Sequence, residues 1–190
     1  MTIVPAMRRL PARRPPEVEP MTVRRNPGAS RRIPDRLFAE HPQSSRTPAP
    51  HTAREISTLI DLLGGASTIA IGHGRHTTSR ETAIAVSKAW RDLGRTVLGT
   101  VDWPAAAASW LKPASRLVST HPDAWVIIDN PAGCAQLAIR LAEHDNWAAT
   151  RTFGTASLDS PDTAALTAGV LSGMRGATAT GGTWRVDVTS

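Results

Sequence analysis

The 190-residue chain carries a formal charge of +6, and all of that charge lies at its front: residues 1–55 set 11 arginines against five acids, whereas residues 56–190 balance nine arginines and two lysines against 11 acids. A folded domain with a basic face is therefore not indicated. The single cysteine, Cys134, excludes an intramolecular disulfide and a multi-cysteine zinc site, and no apolar run of about 18 residues offers a membrane span.

The first ten residues contain arginines and no apolar core of a secretory signal, so reducing cytoplasm is the expected compartment. Residues 1–51 read as a disordered Pro/Arg-rich arm. Ten of the 15 prolines fall within residues 1–50, and the pairs Arg8-Arg9, Arg13-Arg14, Arg24-Arg25 and Arg31-Arg32 repel one another. Such a stretch cannot bury enough apolar surface to offset an ordering cost of roughly 1–2 kcal/mol per residue. Ile33, Leu37 and Phe38 could form one short helical turn. The arm reads either as an electrostatic arm for nucleic acid or an acidic partner, or as a solvated tail of biased composition.

From residue 52 the pattern changes to that of an α/β domain extending to residue 190. Ile56, Leu59, Ile60 and Leu63 predict a helix over residues 52–63, ended by Gly64-Gly65. A short strand is expected over 67–71, closed by Gly72. A second helix is expected over 79–93, with Gly94 just past its end. A strand over 96–101 precedes a helix over 104–111 with Pro104 in its first turn. A strand over 124–128 ends in Asp129, and a helix over 133–144 leads to a fourth strand over 147–153. A helix over 161–171 follows, and Gly181-Gly182 signals a terminal hairpin. Strands alternating with helices imply βαβ crossovers, hence a three-layer domain on a mostly parallel sheet.

The most informative stretch is Gly72-His73-Gly74-Arg75-His76-Thr77-Thr78-Ser79. Glycines after a strand and before a helix N-terminus suit a phosphate cradle, and the stretch follows the P-loop frame G-x-x-x-x-G-K-[ST] at Gly72 and Ser79. Thr77 stands in place of the second glycine and Thr78 in place of the lysine, so a strong contact to the phosphates is missing. Gly72, Gly74, Arg75, Thr77, Thr78 and Ser79 are the candidate nucleotide-binding residues, with Arg75 or Arg80 able to approach a phosphate. Two other readings stay open. Thr78 and Glu81 fit a capping box that needs no ligand. Gly72-x-Gly74-x-x-Thr77, with Asp102 after the second strand, approaches a dinucleotide fingerprint.

Trp125-Val126-Ile127-Ile128-Asp129 has the form of a Walker B strand, which makes Asp129 a candidate for holding magnesium through water; Asn130 beside it cannot act as a base. Asp129 equally suits a turn acid before Pro131. Gly154 suits an ordinary strand-to-loop turn. His73 and His76 have no evident third ligand for zinc. Cys134 has no assigned base and suits a small buried role. Among the tryptophans, Trp103, Trp147 and Trp184 lie near element ends, where bases could stack, but packing is favoured.

The order of these pieces resembles the first motor domain of the helicase half of conjugative relaxases (MobF or TraA type, superfamily 1). The matching segments are the helix before the cradle, residues 89–99 after it, the alanine-rich stretch 105–111, the strand ending at Asp129, and Gly154 with the helix that follows. The resemblance covers roughly residues 52–175 and implies a P-loop NTPase fold using ATP and magnesium. Thr78, Asn130, Thr155 and Leu158 replace residues that its chemistry requires. The expectation is a P-loop NTPase-like binding module that hydrolyses poorly or not at all and associates with nucleic acid or a protein. The alternatives are an active NTPase or helicase fragment, in which Arg75 or Arg80 replaces the lysine, and a dinucleotide-binding domain.

Overall fold

Two alternations organise the fold. In the strand β1 (Thr68–Gly74) and the strand β3 (Ala124–Ile128), Ile69, Ile71, Ala124, Val126 and Ile128 face one way, and Ala70, Trp125 and Ile127 face the other. Both strands are covered on both faces, as their apolar runs require. The structure is a computed structural model and describes residues 33–105 and 109–187.

One face packs against the helices α2 (Ala53–Leu62) and α3 (Thr77–Asp92) through Leu59, Val86 and Trp90. The other packs against α4 (Leu111–Val118) and α5 (Pro131–Leu141) through Leu117 and Leu137. The sheet adds β2 (Thr96–Trp103), β4 (Thr152–Gly154), β5 (Arg175–Ala177) and β6 (Thr183–Arg185) in the order β2-β1-β3-β4-β5-β6. All neighbours pair in parallel except β5 and β6, which form the antiparallel hairpin expected around Gly181-Gly182. The three-layer α/β architecture with a mostly parallel sheet is thus the one expected.

Local chemistry sets several boundaries. α2 starts at a capping box: Thr52 Oγ1 accepts from the Glu55 amide at 3.1 Å, and the Glu55 carboxylate accepts from the Thr52 amide. α4 lies one element-length beyond the helix expected over 104–111. Its Pro113 sits at the third helical position, where a missing N–H leaves no intrahelical bond unmade. α5 begins two residues early, because Asn130 Oδ1 accepts from the Gly133 amide at 2.9 Å and so caps it. The fourth strand is shorter than the run 147–153, since Ala149–Arg151 wind into a 3₁₀ turn before Thr152.

The packed unit extends upstream of residue 52. Ile33, together with Leu37 and Phe38 of α1 (Asp35–Glu40), packs on Ala135, Ile139 and Leu166, the last from α6 (Pro161–Thr167). His41 Nδ1 lies 2.8 Å from Asp162 Oδ1. The arm arginines Arg8, Arg9, Arg13, Arg14, Arg24, Arg25, Arg31 and Arg32 lie outside the described residues. Among the described residues no helix is long and apolar enough to cross a membrane.

Candidate functional site

The chain leaves β1 for β2 on one side and returns to β3 on the other, so the strand order reverses between β1 and β3. In open parallel sheets a crevice forms there, at the carboxyl ends of the strands. His73 and Gly74 end β1, Asp102 and Trp103 end β2, Asp129 and Asn130 follow β3, and Thr155 to Ser157 follow β4.

The geometry removes the phosphate cradle. β1 runs on into the stretch read as a loop, and α3 starts within it: Gly72 pairs with Val101 and Ile127, and Gly74 pairs with Trp103. Only Arg75 and His76 separate Gly74 from α3. Packing accounts for both glycines. A Cβ on Gly72 would stand 2.8 Å from the Trp103 ring, and a Cβ on Gly74 would run into the Asp129 carboxylate. The capping box at Thr78 is also absent. His76 is the N-cap of α3 and no side chain caps the helix, while Thr78 Oγ1 and Ser79 Oγ are buried without a hydrogen-bond partner. Thr77 is exposed, and Arg75 turns away to bond Asp102 through Nε.

Asp129 is the centre of the rim. It is 2% exposed, and its Oδ2 accepts from Trp103 Nε1 at 2.6 Å while its Oδ1 accepts from the Asn130 amide at 2.8 Å. His76 Nε2 lies 3.9 Å from Oδ1. A Cβ on Gly133 would collide with the same carboxylate, so Gly74 and Gly133 together open the space it occupies. Burial pushes the Asp129 carboxyl above its usual range, against the opposing pull of the Trp103 and Asn130 hydrogen bonds. Asp102 moves the other way: its hydrogen bond from Arg75 lowers it. The Asp129 carbonyl accepts from Ser157 Oγ at 2.7 Å, Thr155 Oγ1 lies 3.0 Å from Ser157 Oγ, and the buried Glu55 carboxylate accepts from the Ala156 amide at 2.7 Å.

Among the described residues no three His, Cys, Asp or Glu side chains gather as metal ligands. Cys134 is buried, and burial raises its thiol far above the ordinary range. Trp103 is wholly buried, with its ring edge-on to Trp110 at 5.9 Å. The sequence reading missed Glu55 and Gly133 and did not connect Trp103 with Asp129. Residues 74, 103, 129 and 133 sit on four different elements, and no spacing in the sequence links them.

No family model matches the chain, and no curated protein matches it. The fold recurs among solved structures. An extracellular ligand-binding receptor from Rhodopseudomonas palustris is 16% identical, with a TM-score of 0.60, over 72% of this chain and 38% of its own. A substrate-binding protein of an ABC transporter from Aeropyrum pernix is 22% identical, with a TM-score of 0.55, over 68% and 35%. A periplasmic ligand-binding protein of a branched-chain amino acid ABC transporter from Burkholderia xenovorans is 12% identical, with a TM-score of 0.54, over 68% and 35%. The chain thus spans a little over a third of the length of these proteins.

At such identities the likeness establishes the fold. It corrects the resemblance to relaxase helicases and the expectation of a P-loop NTPase-like, nucleotide-binding or DNA-binding module, active or degenerate: the neighbours are binding-protein folds, and the supposed P-loop is divided between the end of β1 and the start of α3. The dinucleotide reading fits no better, because Gly72 and Gly74 serve Trp103 and Asp129. Neither a nucleic-acid partner nor a cytoplasmic setting finds support among these neighbours.

Proposed function

We propose that this chain is a solute-binding lobe that holds a small zwitterion of the amino-acid type at the carboxyl-end rim of its sheet. One observation carries this reading: on the carboxyl-end rim, beside β1 and β2, Arg75 and Asp102 form an accessible ion pair, their side chains 55% and 41% exposed. A cation and an anion side by side match the carboxylate and ammonium of a zwitterion. The pair is weak enough in water, about 0–1 kcal/mol, to be exchanged for ligand contacts. The first turn of α3 has no side-chain cap and presents its partial positive charge to the same rim, which favours the ligand's carboxylate on that side. The solved neighbours described as amino-acid transporter binding proteins support the ligand class.

Titration with a panel of L-amino acids, followed by thermal shift and calorimetry, tests this. A ligand present at about 100 times its dissociation constant stabilises the folded state by about 2.7 kcal/mol. Arg75→Gln and Asp102→Asn, both at exposed positions, remove that shift without lowering the melting temperature of the free protein. Failure of every amino acid at millimolar concentration to shift the transition overturns the reading. The same reading places the protein outside the cytoplasm, which cell fractionation checks.

A further inference from the structure

The flank of the sheet remote from β6 carries a surface that the rim does not use. β2 pairs with β1 alone, so its outer edge has no neighbouring strand among the described residues. Beside it, Arg80, Ile84, Ser87, Lys88 and Arg91 of α3 line a groove of about 500 Å³ together with Thr100 of β2. These helix positions recur at spacings of three and four, so they form one stripe along α3. Ile84 in its middle is 62% exposed. Three cations line the groove against one acid, Asp92, which Lys88 engages in an exposed pair.

A strand laid on the free edge of β2 would run beside this stripe and complete the α-on-β layer there. Helix residues four apart rise about 6 Å, and strand residues two apart advance about 6.6 Å. The sequence of groups Arg80, Ile84, Lys88 along α3 therefore matches acidic, apolar and acidic side chains at alternate positions of an extended peptide. A register shift between Ile69 and Ala70 places a bulge near Leu98, so regular edge geometry is left to residues 99–103. Long unprotected edges are templates for strand addition.

We propose that the β2 edge and the α3 stripe form a docking site for an extended acidic peptide that joins the sheet as a further strand, its acidic side chains on Arg80, Lys88 and Arg91 and its apolar one on Ile84. The inference rests on the fold and the groove, and stands or falls separately from the solute site.

The experiment uses the full chain and a fluorescein-labelled heptapeptide, Thr-Glu-Thr-Val-Thr-Glu-Thr, followed by fluorescence anisotropy at low salt. Saturable binding is expected, weakened about fivefold by Arg80→Glu or by Arg91→Glu, since each reverses one exposed charge contact. Ile84→Glu, a change at an exposed position, abolishes it. Hydrogen exchange at the amides of residues 99–102 slows on binding, and backbone N-methylation of the peptide prevents binding. Equal affinity for the N-methylated peptide, or indifference to Ile84→Glu, overturns the proposal. So does a self-associated dimer that the peptide fails to dissociate, or tighter binding of a single-stranded oligonucleotide of equal charge through the same residues.

Discussion

Asp123 and Asp129 stand at the two ends of β3, six residues apart, and their surroundings push their acidities in opposite directions. Asp123, at the amino end, is exposed, and its Oδ2 accepts from the Ser67 amide at 2.9 Å, the Thr68 amide at 2.8 Å and the Thr68 hydroxyl at 3.0 Å. Those hydrogen bonds lower its pKa, since water still shares the charge. Asp129, at the carboxyl end, has two hydrogen bonds as well, yet desolvation outweighs them. Hydrogen bonding decides the sign where solvent remains, and burial decides it where solvent is gone. The contrast separates a clasp that joins β1 to β3 at one end from a rim built around a buried carboxylate at the other.

The largest expected effect tests whether glycine makes the room for Asp129. In an open helix interior, Gly→Ala stabilises by about 1 kcal/mol. At Gly133 the new Cβ meets the carboxylate, so Gly133→Ala costs about 3 kcal/mol, as overpacking does. Combining it with Asp129→Ala recovers at least about 1 kcal/mol relative to the sum of the single changes, the sign of direct coupling. Urea titrations of the four proteins measure the cycle. Simple additivity would show that the two residues do not compete for the same space.

Trp103→Phe comes next, at about 2 kcal/mol, because it removes the donor to Asp129 and opens a hollow beside Gly72. pH separates the two parts. The folded pKa of Asp129 lies above its unfolded value of about 3.9, so its contribution is fully present below that pH and is lost as pH rises through the folded pKa. Without the Trp103 donor the folded pKa rises further. The variant's penalty is therefore smaller in acid, below the unfolded value, than at neutral pH. A penalty equal at both would assign the whole effect to packing.

The unequal legibility of these two ends has physical causes. The continuous apolar runs of β1 and β3 and the three-and-four spacing in α2 report burial directly, so the strands, most helices and the layer arrangement were readable. Gly72 and Gly74 were visible but ambiguous: a glycine beside a ligand and a glycine beside an indole look alike until Trp103 is placed against it. Ser79 and Thr78 matched a motif by letter while lying inside a helical turn, and Asn130, set aside as unable to act as a base, turned out to cap α5. The rim depends on contacts between residues 26 to 55 positions apart in sequence, such as Trp103 to Asp129 and Gly74 to Asp129, and local patterns carry no trace of them.

The smallest effect belongs to the clasp. Asp123→Asn keeps one oxygen for the Ser67 and Thr68 donors but loses the charge that strengthens those bonds. Asp123 has a folded pKa below its unfolded value, so its stabilisation is present above pH of about 3.9 and is lost as pH falls through the folded pKa. The variant should therefore melt slightly lower than the parent at pH 7, and the difference should close as the pH falls below the ordinary carboxylate range. High salt should shrink it too, because the side chain faces water. A gap that persists undiminished in acid would mean that the oxygen's position, and not its charge, holds the amino ends of β1 and β3 together, and the contrast with Asp129 would then be one of geometry alone.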